Sequence, residues 1–418
     1  MEHHLIAFVT ADQNEEKKEP DASDAMPHIY EVTGKAYRSL VANTRDQVIA
    51  AVGESASGKS RTTQALVNHL LAFGGSDELL EQLRHATAIF RAFGNAQTEK
   101  NSSSTRFGQI CQLEYEDNGT LCGASFQAHM LESTRVTNSA QAGFHIFYQM
   151  LNASPQVKAQ VLGADWEQAL PADFVYLGEK VENPGDWEVT AEALEVFGWE
   201  GLPLQRLMQA LSVTLLLGNV EFTENEGRAV VGSLADLNMV ALSLGVPATA
   251  LELALTNRRV TDKDGSPFSA PCNVDEATRS CDCLARVLYN CIFSSVVRQV
   301  NILTSAPPAL MGKRRTISFV DMFGFENLEV NQLDTLCVNY ANEKLHQQFL
   351  TASFNCPEFV EEEIELLDLK PFSNMGSIRL VDGTSGVIKT LREECGRTNA
   401  TNEVRSKTVH NSRNVVLT

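Results

Sequence analysis

The chain has 418 residues, 43% of them hydrophobic and 21% charged, enough apolar material for a sizeable core and too much for a disordered or fibrous chain. Asp and Glu number 53 against 34 Lys and Arg, a formal net charge of −19. A field of that sign repels phosphate backbones and excludes a general nucleic-acid binder, while leaving room for one nucleotide held by a local loop and a metal ion. The 9 cysteines are scattered with no C-x-x-C pair, which reads as reduced thiols in a cytosolic protein and not as a disulfide scaffold or zinc module. Met1-Glu2-His3-His4 lacks a basic n-region, and no apolar run approaches a membrane span, so neither a signal peptide nor a transmembrane segment is expected.

Residues 1–26 are expected to form a disordered leader, polar from Asp12 and carrying Glu15-Glu16-Lys17-Lys18-Glu19-Pro20. From Pro27 to Thr418 the composition is globular. Asp46 to Val52 reads as a short buried strand, and a Gly-rich turn leads into a helix from Ser60 to about Phe73, stopped by Gly74-Gly75. Asn95 to Gly108 reads as a polar, hydroxyl-rich loop ahead of a strand. Gln109 to Met130 reads as two strands around Asp117-Asn118-Gly119, a hairpin signal. Most of Glu192 to Leu303 follows a helical pattern, with Leu284, Leu288, Cys291, Ser295 and Val296 on one face of a long helix. Cys281 and Cys283 fall on different faces of that helix. Thr316 to Val320 is a second apolar strand ending at Asp321, and Asn331 to Phe349 a further helix with Leu333, Cys337, Tyr340, Leu345 and Phe349 on one stripe.

The chemistry starts at Gly53-Glu54-Ser55-Ala56-Ser57-Gly58-Lys59-Ser60, which satisfies G-x-x-x-x-G-K-[ST] between a strand and a helix. Glycines let the backbone wrap a phosphate, successive N–H groups point inward as an anion nest, and the following helix adds its positive N-terminal dipole. Lys59 is placed to reach the β- and γ-phosphates, and the Ser60 hydroxyl to ligate Mg²⁺. By ordinary residue usage such a match arises by chance in only on the order of one per cent of chains this long, so the nucleotide reading is preferred. The loop alone admits an NTPase or a small-molecule kinase. Asp321 to Glu326, after a buried strand, stands where a second metal-side carboxylate is required.

The three segments in this order resemble the myosin motor head. The phosphate loop is similar to GESGAGKT, Asn95 to Gly108 to the switch I stretch NAKTxxNxNSSRFG, and Asp321-Met322-Phe323-Gly324-Phe325-Glu326 to the switch II stretch DIFGFE. Met130 to Val136 resembles LLEKSRV, Phe144 to Gln149 matches FHIFYQ, Leu217 to Phe222 resembles LGNIxF, and Asn331 to Leu345 resembles the start of the relay helix. The resemblance runs from about Pro27 to about Glu394 and implies an α/β P-loop fold, a mixed twisted sheet flanked by helices with a large helical insertion. It implies ATP and Mg²⁺ as ligands, hydrolysis of ATP to ADP and phosphate, movement along actin filaments and a cytoplasmic, cytoskeletal location. Residue by residue, it implies that Ser60 and Thr105 ligate Mg²⁺ with Asp321 behind them, and that Asn101 contacts the phosphates. Ser55 and Ser104 would flank the lytic water, Gly324 would offer its N–H to the γ-phosphate, and Arg106 and Glu326 would pair to close the switches. The switch-like pair argues against the kinase alternative.

The chain also departs from the pattern. Ala56 replaces a glycine, at about 1–2 kcal/mol if its φ is positive. The family's purine-binding N-P-x-x-x-x-Tyr segment has no counterpart before Pro27. Pro357 interrupts the expected continuation of the relay helix. After Ile388 to Glu394, which resembles LLDEE, nothing matches the rest of the lower subdomain, the reactive-thiol helices, the converter or a light-chain site. The alternatives are therefore a non-motile head that binds nucleotide or a partner, and an incomplete gene model of a longer motor. The loop near Val260 to Phe268 corresponds in position to an actin-contacting loop of the family's upper subdomain, with Arg258, Arg259 and Lys263 as its only basic groups; a plain solvated loop is the alternative reading.

Overall fold

The computed structural model describes residues 4–5, 28–43, 45–72, 74–178, 181–261, 266–307, 314–329, 331–354 and 373–395. The expected leader lies outside the described residues except for His4 and Leu5, as do Lys263 and Pro357.

A five-stranded mixed sheet carries the molecule. Its strands are β1 (His4–Leu5), β2 (Gln47–Ala51), β5 (Gly108–Glu116), β6 (Leu121–His129) and β11 (Arg314–Asp321), in the spatial order β1-β2-β11-β5-β6. The interior strand β2 is nearly all apolar and buried, with Ile49, Ala50 and Ala51 at 3, 2 and 8% exposure, as a strand covered on both faces must be. β11 runs parallel to β2 from Ile317↔Gln47 to Asp321↔Ala51, and antiparallel to β5 from Arg314↔Glu116 to Asp321↔Gln109. The β5–β6 hairpin turns at Asp117-Asn118-Gly119 as the sequence indicates. Gly119 sits at φ +84, and the Asn118 side chain accepts from the Thr120 N–H at 2.8 Å.

Beside the sheet lie α1 (Ile29–Asn43), α2 (Lys59–Leu71) and α3 (Asp77–Gly94). Ser76 caps α3 by accepting from the Leu79 N–H, and Asp77 and Glu78 complement its dipole. α3 runs directly into β3 (Asn95–Thr98), which pairs antiparallel with β4 (Asn101–Thr105). The loop expected over 95–108 is therefore a hairpin. Asn95 Nδ2 donates to Ser103 Oγ at 3.1 Å and to its carbonyl, so the polar residues that suggested a loop are cross-strand partners.

The insertion between β6 and β11 is mostly helical. Its helices are α4 (His145–Asn152), α5 (Pro155–Leu162), α6 (Trp187–Val196), α7 (Leu202–Gly218), α8 (Leu234–Leu244), α9 (Ala248–Thr256) and α10 (Val274–Thr304). Two hairpins interrupt the expected helical run: β7 (Phe222–Asn225) with β8 (Arg228–Val231), and β9 (Asn257–Thr261) with β10 (Pro267–Pro271). Glu226 and Gly227 both have positive φ, 50 and 76, the backbone of a two-residue hairpin turn reached here without the usual Asn-Gly. Along α10 the buried line passes through Cys281, Ala285, Tyr289, Val296 and Val300. Leu284 and Leu288 sit on its flank, and Cys291 is exposed. Aromatic contacts move the seam: Tyr289 stacks on Phe144 at 4.7 Å, and Phe293 meets Phe107 edge-on at 5.0 Å. Cys281 is buried and Cys283 exposed, on different faces as expected.

After β11, α11 (Leu333–Phe354) follows. Its buried side chains include Thr335, Val338 and Asn342, whereas Leu333, placed on the buried stripe by its spacing, is 56% exposed. Two short helices, Met375–Asp382 and Val387–Cys395, complete the described chain.

Candidate functional site

The parallel pairing of β2 and β11 brings their C-terminal ends to one edge of the sheet, and the antiparallel β5 starts at the same edge. The phosphate loop, the β3–β4 hairpin and the segment after Asp321 therefore meet, although 53–60 and 321–326 are far apart in sequence. Open α/β sheets bind ligands at this edge.

The loop has the backbone that a phosphate cradle needs. Gly53 and Gly58 have φ of 150 and 89, and Ala56 has φ 67, the positive value that its substitution for glycine made costly. Gly58 precedes α2 with no side-chain cap, which leaves the first N–H groups of the helix to the site. Lys59 Nζ donates to the Glu54 carbonyl at 2.5 Å. Burial lowers the Lys59 pKa, while Asp321, Glu326 and Glu54 oppose that shift and favour the charged form. The segment after β11 lies directly on this loop. Phe325 forms a parallel bridge with Glu54, and a Cβ on Gly324 would come within 2.3 Å of the Ser55 nitrogen and 2.6 Å of Lys59 Nζ. Only glycine permits that approach.

These segments surround a cavity of about 440 Å³. From the phosphate loop it is lined by Ser55, Ala56, Gly58, Lys59 and Ser60, from the hairpin by Asn101, Ser104 and Thr105, and from the last segment by Asp321 and Gly324. Gly53, Glu54 and Ser57 form the back of the loop, with the Ser57 N–H on the Glu54 carbonyl at 3.3 Å. Asn101 Oδ1 accepts from the Ser103 N–H at 3.0 Å, which fixes the hairpin tip.

Asp321 is 6% exposed, and its Oδ1 is buried without a hydrogen-bond partner. Burial raises its pKa, and Ser60 and Lys59 act in the opposite direction. Among the described residues no group of three or more His, Cys, Asp or Glu could hold a metal ion. A cation at this edge would instead meet the hydroxyls of Ser60 and Thr105 beside that unpaired carboxylate oxygen. Hard oxygen donors with room for water and phosphate oxygens suit Mg²⁺.

Arg106 and Glu326 are brought together behind the cavity. Nη1 and Nη2 of Arg106 lie 2.5 and 3.2 Å from Oε1 and Oε2 of Glu326, and both residues are buried at 2 and 7% exposure. The sequence reading missed two supports. Glu132 accepts from Arg106 Nε at 2.5 Å and from Arg135 Nε and Nη2 at 2.8 and 3.2 Å. Asn339 holds Glu326 by its backbone, accepting from the N–H at 2.8 Å and donating to the carbonyl at 2.7 Å, while Asn342 donates to the Phe323 carbonyl at 2.9 Å. Both signals stood in the motifs, Glu132 within Met130 to Val136 and the two asparagines in the first turns of α11. Burial would raise the Glu132 carboxyl, but Arg106 and Arg135 hold it below its ordinary value. Burial works against the Arg106 charge too, yet Glu132 and Glu326 keep it firmly protonated.

The sequence model of the family described as "Myosin head (motor domain)" matches residues 4–415. An unconventional myosin IC of Drosophila melanogaster is 32% identical over 389 residues, 89% of this chain and 37% of the relative. A myosin IA heavy chain of Dictyostelium discoideum is 30% identical over 390 residues, covering 88% and 39% respectively. An unconventional myosin-Ic of Rattus norvegicus is 30% identical over 391 residues, covering 89% and 37%. The chain thus spans less than two fifths of the length of these relatives. With the phosphate loop, both switch-like segments and the helix after them arranged on one sheet edge, the chain belongs to the myosin head (motor domain) family.

Proposed function

We propose that this chain carries the nucleotide site of a cytoskeletal motor that binds Mg-ATP, hydrolyses it to ADP and phosphate, and works on actin filaments in the cytoplasm. The observation that carries the reading is the bidentate Arg106–Glu326 pair at the end of a segment, Gly324-Phe325, that lies on a loop of positive-φ backbone. Phosphoryl transfer asks the protein for position and charge stabilisation more than covalent help.

The β- and γ-phosphates would lie against Lys59 and the N–H groups of residues 53–60, and Asn101 would steady them from the hairpin. Ser55 and Ser104 stand on two sides of the cavity, where their hydroxyls would orient the attacking water. Ser104 Oγ is already held by Arg106 Nη1 at 3.2 Å. Gly324 would turn its N–H to the γ-phosphate. Ser60 and Thr105 would hold Mg²⁺ with Asp321 behind them, and the ion would supply charge neutralisation at the phosphate oxygens. The Arg106–Glu326 pair closes the hairpin onto the segment after β11, and Asn339 and Asn342 pass the position of that segment to α11. The β9–β10 hairpin, with Arg258 and Arg259, is the candidate actin contact.

A thermal melt of the purified chain with and without Mg-ATP tests the reading, with Lys59→Ala and Arg106→Ala in parallel. Saturating ligand at about 100 times Kd should stabilise the parent by about 2.7 kcal/mol. Lys59→Ala should lose that shift. Arg106→Ala should keep it and hydrolyse on the order of 10²-fold more slowly. A parent that gains nothing from Mg-ATP would refute the nucleotide site.

A further inference from the structure

We propose that Glu132 is a positioning residue of the hydrolytic site, fixing the plane of the Arg106 guanidinium so that its outer fork meets Glu326. The inference rests on the ATPase reading above and adds to it a residue that does not line the cavity.

An arginine fork finds a carboxylate bidentately only if its plane is set, and a four-bond side chain does not set it unaided. The outer nitrogens of Arg106 are committed forward, Nη1 to Glu326 Oε1 and Ser104 Oγ, Nη2 to Glu326 Oε2. The remaining donor, Nε, points back to Glu132 Oε2 at 2.5 Å. Glu132 also grips the backbone, its N–H donating to the Arg106 carbonyl at 2.9 Å. Glu132 is itself immobilised from the far side. Arg135 holds both its carboxylate oxygens, and Arg135 Nη1 donates to the Ala142 carbonyl at 3.1 Å. Two residues on, Thr134 donates to Asp334 in the first turn of α11, so the segment bearing Glu132 is tied to the same helix whose Asn339 holds Glu326.

The result is a buried row of alternating charge, Arg135–Glu132–Arg106–Glu326, with Glu132 held by Arg135 and Glu326 held through its backbone by Asn339. Removing the charge of Glu132 leaves the buried Arg135 guanidinium without its carboxylate and frees the Arg106 plane. Small misplacement of a catalytic group is costly in rate while leaving ground-state binding nearly intact.

The test uses the full chain carrying Glu132→Gln, which keeps shape and removes charge, and Glu132→Asp, which keeps charge and shortens reach. For Glu132→Gln, kcat should fall on the order of 10–10²-fold, with KM and the Kd for Mg-ADP within about 3-fold of the parent, the pattern of an interaction made in the transition state. Glu132→Asp should recover at least part of that loss. In ¹⁵N-arginine spectra the Arg106 Nε–H resonance, assigned by its disappearance in Arg106→Lys, should move in Glu132→Gln. Unchanged kcat, or loss of kcat together with ADP affinity and cooperative melting in both variants, would overturn the proposal. If the parent itself does not hydrolyse ATP, the ATPase reading fails separately. The resonance then decides whether Glu132 orients Arg106: an unmoved Nε–H rejects it, and a displaced one upholds it.

Discussion

At Ala56 a single side chain records a conflict between the backbone the loop adopts and the residue that occupies it. Its φ of 67 is the left-handed backbone that a phosphate nest needs. A Cβ in that region costs about 1–2 kcal/mol, and glycine regains part of this against its own greater freedom in the unfolded chain. Ala56→Gly should therefore stabilise the protein by about 0.5–1 kcal/mol, read as a higher urea midpoint with unchanged slope. A variant no more stable than the parent would show that the loop relaxes around alanine. The phosphate loop was legible because eight consecutive residues carry its whole chemistry. The Arg106–Glu326 pair was legible only through the motif that contains each partner. Glu132 lay within the Met130 to Val136 motif, but its contacts were not legible there, because they depend on two arginines that fold around it.

Among the elements, long periodic segments were readable, and what moved them was packing. A long helix carrying Leu284 to Val296 is expected within the helical run of Glu192 to Leu303 and is found as α10, but large aromatics set its buried line, and Cys291, placed on the seam by spacing, faces out. The β3–β4 hairpin was hidden by its own composition, since Ser, Asn and Thr serve turns and strands alike. No local pattern could reveal how α10 covers the β5–β6 hairpin. Asn301 on α10 accepts from the Phe126 N–H at 2.7 Å and donates to the Phe126 carbonyl at 2.8 Å, standing in for the next strand at the edge. Where the chain leaves that helix, a Cβ on Gly123 would meet the Ala306 nitrogen at 2.3 Å. Asn301→Ala would leave two part-buried backbone groups of β6 unpaired and should cost about 2–4 kcal/mol, measured by equilibrium unfolding. Asn301→Asp should recover only the bond from the Phe126 N–H. A loss within about 0.5 kcal/mol would mean that water replaces the asparagine.

For the whole molecule, acid sensitivity has an identifiable source. His145, at the start of α4, is 3% exposed, neither ring nitrogen has a hydrogen-bond partner, and burial followed by the Arg135 charge pushes its pKa down to about 4. The unfolded chain takes up that proton near pH 6.5, before the folded one does. Stability from the neutral ring is therefore complete above that value and is lost as pH falls through 6.5 toward 4. Between pH 7 and pH 5 the loss amounts to about 2 kcal/mol. His145→Leu should abolish that part of the pH dependence in urea unfolding, with the carboxylate contributions common to both proteins. Parallel curves for parent and variant would place the acid sensitivity elsewhere. Fold class and the order of the three site segments were evident from the sequence because each segment is local. How the edge of the sheet gathers them was not, since that follows from strand pairings across hundreds of residues.

The position of β11 between β2 and β5 bears on how the chain is made. Its two neighbours are complete by Glu116, yet their shared partner begins only at Arg314. During synthesis the nascent chain exposes two strand edges that cannot close on each other. The interval is roughly 200 residues, on the order of 10–40 s of elongation, and open edges are sites of wrong pairing. In the folded sheet the gap between β2 and β5 is one strand wide. The strand that fills it also delivers Asp321, so the phosphate loop stays without its facing segment until the central strand has been inserted.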